Sequence, residues 1–440
     1  MAEKVVKVGL VGFGTVGAGV AKIILEQADA IAAKSGVRLE LGCVVDLDTT
    51  TERPVKLPDG LLTDDFDKLL NDKSISIGIE LVGGTGVAKD MQLKMLESGK
   101  DVVTANKALL AKHGNELYKA AAKNGKCIAF EASCAGGIPI VSAIRTGLAA
   151  NNIEAMFGIV NGTCNYILSN MTTKGQEFAD ALKKAQELGF AEADPTLDIN
   201  GGDSAHKLAI LGSIAFGYEI QLDDIYVEGI EGISKDDIQY GGEMGYVLKL
   251  LAIGQREPSG KISLRVHPSF IADDISLARV NGSFNAISIF GDAVGEVLYY
   301  GRGAGMMPTA SAVVADIIEV GLGNSATTFR NLKLRPREEA EKVIESIDNL
   351  VSRFYIRMMA KDESGVFAQI SKVLADNDIS ISGMLQHEGS GPGNTVPVVI
   401  TTHPNKESNV SVAVESLNKL DTVCSEPVCI RIVDIPEDKD

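Results

Sequence analysis

The 440-residue chain has no Cys-x-x-Cys pair, no apolar run of membrane-spanning length and no excess of positive charge. Its six cysteines, at 43, 127, 134, 164, 424 and 429, are scattered. That excludes a disulfide framework or a cysteine zinc site and suits a reducing cytoplasm, the expected location. Lys and Arg number 42 against 59 Asp and Glu, a formal net charge of −17. Contacts to nucleic acid or an anionic membrane would start from repulsion, so neither is expected as a partner. An anionic ligand would need a local cationic or helix-terminal pocket. A strand-like run follows directly on Met1-Ala2-Glu3-Lys4, so no signal peptide is expected. Internal repeats and low-complexity segments are absent too.

What is present is ordinary for a globular protein: 45% apolar and 23% charged residues. The length exceeds what one core supports and implies two or three domains. Val5–Val11, Val37–Val45, Ile75–Val82, Asp101–Thr104 and Cys127–Glu131 read as strands. Helical patterns at 16–34, 87–98 and about 116–124 alternate with them. That alternation predicts a Rossmann-like parallel, doubly wound α/β sheet with ligands at the carboxyl ends of its strands.

Beyond about residue 150 the texture becomes α+β, with helices at 176–188 and 204–216 and strands at 262–266 and 286–290. A helix at 309–320 follows the Gly-rich turn Gly301–Gly305. A charged link, Arg335–Ala340, leads to a module read as strand 354–359, helix 366–376, strand 379–386, strand 396–402, helix 408–419 and strand 428–433. The order is ferredoxin-like βαββαβ, with the Gly-rich run at 389–393 as a hairpin tip. The expected domains are 1–135 (nucleotide-binding, completed by a helix at about 305–325), 136–304 (catalytic and dimerisation), 326–350 (linker) and 351–440 (regulatory).

Gly12-Phe13-Gly14-Thr15-Val16-Gly17 matches G-x-G-x-x-G between a strand and a helix, the context that the motif needs. The first glycine makes the turn, the second lets backbone approach a pyrophosphate and the third permits close packing. The helix N-terminus offers N–H groups to the anion. Asp46 ends the second strand, where an acid binds an adenosine 2′-hydroxyl and disfavours a 2′-phosphate; spacing alone reads it equally as a solvated loop acid. No Arg or Lys follows until Arg53, so NAD is expected in preference to NADP.

Further motifs are Glu80–Thr85, Val102–Lys107, Glu131–Pro139, Asn161-Gly162-Thr163-Cys164-Asn165-Tyr166 and the stretch 189–207 with Glu192, Asp194, Asp198, Asp203 and Lys207. With the fingerprint and the Gly301–Gly305 turn, these closely resemble homoserine dehydrogenase, in order, over about residues 5–325. The last module resembles an ACT domain, with Asp362-Glu363-Ser364-Gly365-Val366 as its strand-to-helix turn.

The resemblance implies NAD(P)-dependent interconversion of L-aspartate 4-semialdehyde and L-homoserine. Hydride addition to an aldehyde builds negative charge on oxygen, so a positioned cation able to give up a proton lowers the barrier. Lys207 is the implied donor, with Asp203 one turn before it; spacing alone would read the two as a surface i,i+4 ion pair. Lys107 is implied to sit between cofactor and substrate, with Thr85 and Gly305 also on the cofactor. Glu192 is the implied partner of the substrate ammonium, and Asp198 part of the polar network. The resemblance also implies a monovalent cation, sodium, held through Glu131, Cys134, Gly136 and Ile138, largely by carbonyl oxygens. An amino-acid effector such as L-threonine is implied near Asp362, Gly365 and Val366, with assembly as a homodimer or homotetramer.

Two rival readings follow from the same residues. Cys134 could be the thioester-forming nucleophile of a phosphorylating semialdehyde dehydrogenase, but it would need a base, and His206 is the only histidine in a motif. Alternatively the chain could be a catalytically silent amino-acid-binding regulator, against which the intact Lys107, Glu192, Asp203 and Lys207 argue. A fused aspartokinase is not expected, because the sequence opens directly on the nucleotide domain.

Overall fold

The computed structural model describes residues 4–331, 343–387 and 394–436. The charged link at 335–340 and the Gly-rich tip at 389–393 lie outside the described residues. In chain order the first elements are β1 (Lys4–Val11), α1 (Thr15–Ser35), β2 (Val37–Val45), β3 (Leu62–Thr63), α2 (Phe66–Asn71), β4 (Ile75–Glu80), α3 (Val87–Glu97), β5 (Asp101–Thr104), α4 (Lys107–Lys123) and β6 (Ile128–Ala129). Then come α5 (Ile140–Ser142), β7 (Ile153–Ile159), α6 (Gly162–Lys174), α7 (Phe178–Glu187), α8 (Thr196–Ile199), α9 (Gly202–Phe216), β8 (Tyr226–Val227), α10 (Lys235–Glu243), β9 (Tyr246–Arg256) and β10 (Ile262–Ala272). The remainder is β11 (Phe284–Gly291), β12 (Gly295–Arg302), α11 (Met306–Leu322), α12 (Asn324–Asn331), β13 (Val351–Lys361), α13 (Val366–Asp376), β14 (Ile381–Gln386), β15 (Thr395–Thr402), β16 (Asn405–Lys406), α14 (Glu407–Leu417) and β17 (Val428–Ile432). No single helix among the described residues is long and apolar enough to cross a membrane. The chain divides into two compact units, residues 1–153, 205–224 and 285–341, and residues 154–204, 225–284 and 342–440.

The first unit is built on a six-stranded sheet, order β3-β2-β1-β4-β5-β6, with every pair parallel. Its central strands are buried on both faces, as Val8, Leu10, Ile77, Ile79, Val102 and Val103 show, which explains their near-continuous apolar sequence. The strand order reverses between β1 and β4, and an open α/β sheet binds its ligand in the crevice at that switch point. Helix α1 stops at Gly36, which takes the left-handed conformation at φ 76° and returns its N–H to the Ala32 carbonyl. Helix α11 packs against α1.

In the second unit, β9 and β10 pair antiparallel from Tyr246↔Ala272 to Arg256↔Ile262. The free edge of β10 takes two short parallel partners end to end, β8 at Arg265–Val266 and β17 at Ser269–Phe270. Strand β17 belongs to the C-terminal module, whose order β17-β13-β15-β14 with antiparallel neighbours is the ferredoxin-like arrangement. The module's sheet is thus continuous with β10. Its core gathers Phe354, Ile356, Met358, Val398 and Ile400 from strands against Val366, Ile370 and Leu374, spaced four apart on α13. A capping box of Ser234 and Asp237 starts α10. Asp237, fully buried, accepts from Arg357 Nε (2.6 Å) and the Tyr355 hydroxyl (3.1 Å) on β13.

Several expected elements have different limits. The fifth strand is only Ile128–Ala129, because Glu131 turns into a 3₁₀ turn (Glu131–Ser133) to accept the Val141 and Ser142 N–H groups. Helix α4 starts at Lys107, not near 116, because the Asn106 side chain caps the Leu109 N–H. Helix α12 (Asn324–Asn331) runs into the expected linker, 326–350.

Candidate active site

In the first unit the fingerprint has the geometry that its glycines require. Gly12 lies at φ 93°, and a Cβ there would stand 2.7 Å from the Leu81 carbonyl oxygen. A Cβ on Gly17 would stand 2.0 Å from the Gly12 oxygen, whereas one on Gly14 would meet nothing within 4 Å. The loop is therefore tight below and open above, at the N-terminus of a 21-residue helix. This is the cradle that a dinucleotide pyrophosphate needs.

Asp46 turns toward this loop: Oδ2 accepts the Phe13 N–H (2.5 Å) and Oδ1 the Asp48 N–H (2.9 Å). Arg53, the first cation to follow Asp46 in sequence, folds back onto the fingerprint. Its Nε donates to the Phe13 carbonyl (2.9 Å), its Nη2 pairs with Asp48 (3.2 Å), and its guanidinium lies 5.8 Å from the Phe13 ring centroid. Arg53 and Asp46 thus both hold the Phe13 main chain, one at its carbonyl and the other at its N–H.

At the ends of β4 and β5 the organiser is Glu80, fully buried. One carboxylate oxygen accepts the Val82 and Gly83 N–H groups; the other accepts Gln92 Nε2 (2.8 Å) and the Thr104 hydroxyl (2.9 Å). Asn106 Nδ2 reaches the Gly84 carbonyl (2.8 Å), tying the loop that carries Thr85 to the start of α4, where Lys107 is the first helical residue. Leu110 and Ala111 of α4 line one small cavity with Ala209 and Ile210 of α9. Lys107 stands three residues before Leu110, and the buried Lys207 two before Ala209.

Glu131–Gly136 and Ile138 are buried as well, with Gly137 exposed between them. The Glu131 N–H donates to Asp316 Oδ2 (2.7 Å). Burial and the neighbouring Glu131 raise the Asp316 carboxyl to about 8, and burial raises Glu131 too. Ala135 is one of three non-glycine residues with positive φ among those described. Gly136 and Gly137 press so closely on Arg302–Gly303 that a Cβ on either would lie within 2.8 Å of a carbonyl oxygen. The Cys134 sulfur is fully buried, 3.6 Å from the Ser133 hydroxyl and 3.9 Å from the Lys207 carbonyl.

In the second unit the acids gather around Asn161. It caps α6, accepting the Cys164 N–H at Oδ1 (2.8 Å), while Nδ2 donates to Asp198 Oδ1 (2.7 Å) and Asp203 Oδ2 (2.8 Å). One amide thus holds two carboxylates together. Helix α9 carries Asp203 in its first turn and Lys207 one turn on. Glu192 is exposed, in the loop between α7 and α8.

The comparisons with known proteins agree across the chain. Residues 12–131 match the homoserine dehydrogenase NAD-binding domain, 139–318 homoserine dehydrogenase and 354–422 the ACT domain. A homoserine dehydrogenase of Neisseria gonorrhoeae is 43% identical over 432 residues, spanning 98% of this chain and 99% of its own. The chain belongs to the homoserine dehydrogenase family.

A Pseudomonas aeruginosa homoserine dehydrogenase is likewise 43% identical over 436 residues. Among solved structures, a homoserine dehydrogenase from Thiobacillus denitrificans superposes with TM-score 0.89 at 41% identity, covering 98% of this chain and 99% of its own. A hyperthermophilic archaeal homoserine dehydrogenase mutant in complex with NADPH superposes at 0.62 with 28% identity, covering 72% and 98%. The chain is an NAD(P)-dependent oxidoreductase of aspartate-family amino-acid biosynthesis. Membership of the homoserine dehydrogenase family sets aside the phosphorylating semialdehyde dehydrogenase and the silent regulator. Of the residues missed from sequence, Glu80 and Asn161 lay inside quoted motifs, and a buried acid before two glycines could have flagged the first. Arg53 had no local signal.

Proposed function

We propose that the chain reduces L-aspartate 4-semialdehyde to L-homoserine, or runs the reverse, with Lys207 as proton donor and Asp203 as its positioning partner. A nicotinamide, when bound, would supply the hydride chemistry: to the aldehyde carbon in reduction, from the alcohol carbon in the reverse. Lys207 protonates the developing alkoxide, and Lys107 orients the substrate and adds positive charge near the nicotinamide. Glu192 takes the substrate ammonium, with Asp198 in the same polar network. The observation that carries this reading is the Asn161 bridge, which fixes Asp198 and the Asp203 turn of the helix that bears Lys207.

Gly12, Phe13, Gly14, Thr15, Val16 and Gly17 hold the pyrophosphate, with Thr85, Lys107 and Gly305 toward the nicotinamide end and Asp46 at the ribose. Asp46 supports NAD, whereas Arg53 on the Phe13 carbonyl supports acceptance of a 2′-phosphate. The cofactor is therefore read as either nicotinamide, with no penalty on NADP as severe as Asp46 alone would impose.

A monovalent cation, sodium, would be held by carbonyl oxygens of Cys134, Gly136 and Ile138 together with Glu131, and would rigidify that loop. The buried, oxygen-rich loop with its close glycines suits a hard cation, and the Cys134 sulfur is engaged elsewhere. Among the described residues no cluster of three His, Cys, Asp or Glu competes for a metal.

The limits 1–135 and 351–440 are supported by the family matches at 12–131 and 354–422, whereas the match at 139–318 runs past 304 and residues 136–153, 205–224 and 285–304 fall in the same compact unit as the nucleotide-binding part. An amino acid such as L-threonine is read as the effector at Asp362, Gly365 and Val366. Gly365 caps α13 at φ 89°, and Val366 is core, so its contribution would be its amide. A homodimer or homotetramer is supported by β12, which leaves Leu298 and Tyr300 exposed. A cytoplasmic location is supported by six free thiols.

The test is initial rates of NADH and NADPH oxidation with aspartate semialdehyde for the wild type and Lys207→Ala. The variant should lose about 10²–10⁴ in kcat with cofactor affinity unchanged; a kcat at the wild-type level would overturn the assignment.

A further inference from the structure

We propose that the last strand of the C-terminal module braces the substrate loop, with Arg431 and Glu228 as positioning residues for the amino-acid end of the substrate. The inference rests on reading Glu192–Asp198 as that loop.

Strands β8 and β17 lie along the same edge of β10. Arg431, on β17, points along that edge. Its Nη1 donates to Glu228 Oε2 (2.6 Å), its Nη2 to the Tyr226 hydroxyl (3.2 Å), and its guanidinium lies 4.9 Å from the Tyr226 ring centroid. The Tyr226 hydroxyl donates to the same Glu228 oxygen (3.1 Å). Arg431 already has a buried carboxylate partner in Glu407, met through both Nε and Nη2. Its charge is satisfied there. The further arm to Glu228 is therefore available to fix the segment that Glu228 belongs to.

That segment runs under the substrate loop. The Ile230 N–H donates to the Ile199 carbonyl (2.8 Å). Gly229 lies so close to α8 that a Cβ would stand 2.3 Å from the Ile199 oxygen and 2.6 Å from the Asn200 Cα. From the other side, a Cβ on Gly201 would stand 3.0 Å from Val227 Cγ1 and 3.4 Å from the Glu228 main-chain carbonyl oxygen. The 227–230 segment is thus the floor beneath Ile199–Gly201, and Asp198 immediately precedes it. Displacing Glu228 moves that floor, and with it the carboxylate that Asn161 holds against Asp203. A ligand that shifts β17 along β10 would act on substrate affinity through the same contacts.

The experiment uses the full chain and three variants, Glu228→Gln, Gly229→Ala and Asp198→Ala, with separate KM values for aspartate semialdehyde and for the nicotinamide. Glu228→Gln keeps the fold, since the side chain is partly exposed, but it replaces the ionic arm to Arg431 by a weaker neutral one. It should raise the semialdehyde KM about tenfold, with kcat and cofactor KM within about twofold. Gly229→Ala should raise it further. A Gly229→Ala chain that fails to bind cofactor has misfolded, and Glu228→Gln then decides alone. If Asp198→Ala raises the semialdehyde KM while Glu228→Gln leaves it unchanged, the brace is refuted and the loop reading stands. If Asp198→Ala also leaves KM unchanged, the loop reading fails and the brace with it.

Discussion

Replacing Asn161 by alanine removes two donors to two carboxylates and one helix cap in a single step. A hydrogen bond to a charged group contributes about 1.5–3 kcal/mol net. The two released carboxylates regain some water, so one bond's worth is the fair estimate, and that corresponds to about 10- to 100-fold in kcat/KM. Losing the cap costs about 1 kcal/mol of stability in addition. Asn161→Asp separates the two effects. Its carboxylate still accepts the Cys164 N–H and so preserves the cap, but it replaces the donor by a third negative charge. Both variants should lose kcat/KM, Asn161→Asp the more, while urea unfolding should show a stability loss from cap removal only in Asn161→Ala. Initial rates of nicotinamide oxidation with aspartate semialdehyde measure the first quantity. Wild-type kcat/KM in Asn161→Asp would refute the bridging role.

Three further outcomes are expected. Gly17→Ala, whose Cβ would sit 2.0 Å from the Gly12 oxygen, should abolish NADH binding measured by fluorescence, and retention of affinity would show that the turn can relax. Arg53→Ala should raise the KM for NADPH by about tenfold while leaving NADH nearly unchanged; equal effects on both would mean that the arginine serves only the loop. His267 is fully buried, and burial with the nearby Arg431 and Arg265 holds its pKa well below 6.5. The unfolded chain takes up that proton below pH 6.5 and the native chain does not, so stability falls as pH drops through 6.5, by about 1.4 kcal/mol per pH unit. Urea titrations at pH 7.5 and 5.5 should show a smaller fall in His267→Gln; the same fall would assign the acid sensitivity to other groups.

The parallel sheet was legible because strands covered on both faces carry near-continuous apolar runs, and α13 because its apolar residues recur every fourth position. Strand β9 was not. It places Lys249 at a fully buried position, where its ammonium meets the Val280 carbonyl, and burial lowers the group to about 8. A lysine inside a strand looks like a break until that carbonyl is in place. For the site, the family's motifs are what point to Lys107, Asp203 and Lys207, each within a short run of sequence. The Asn161 bridge to Asp198 and Asp203 and the return of Arg53 to Phe13 close over roughly 40 residues, and local pattern does not encode such closures.

The parallel pairing of β17 with β10 joins residues separated by roughly 160 positions. At ribosomal speeds of about 5–20 residues per second, the edge of β10 waits on the order of ten seconds or more for its partner. During that interval an open, apolar strand edge is available to other nascent chains. Cutting the gene before the last module would make that exposure permanent. A truncated chain would then differ from the full one in solubility before it differs in regulation, and light scattering of the freshly made protein would register the difference first.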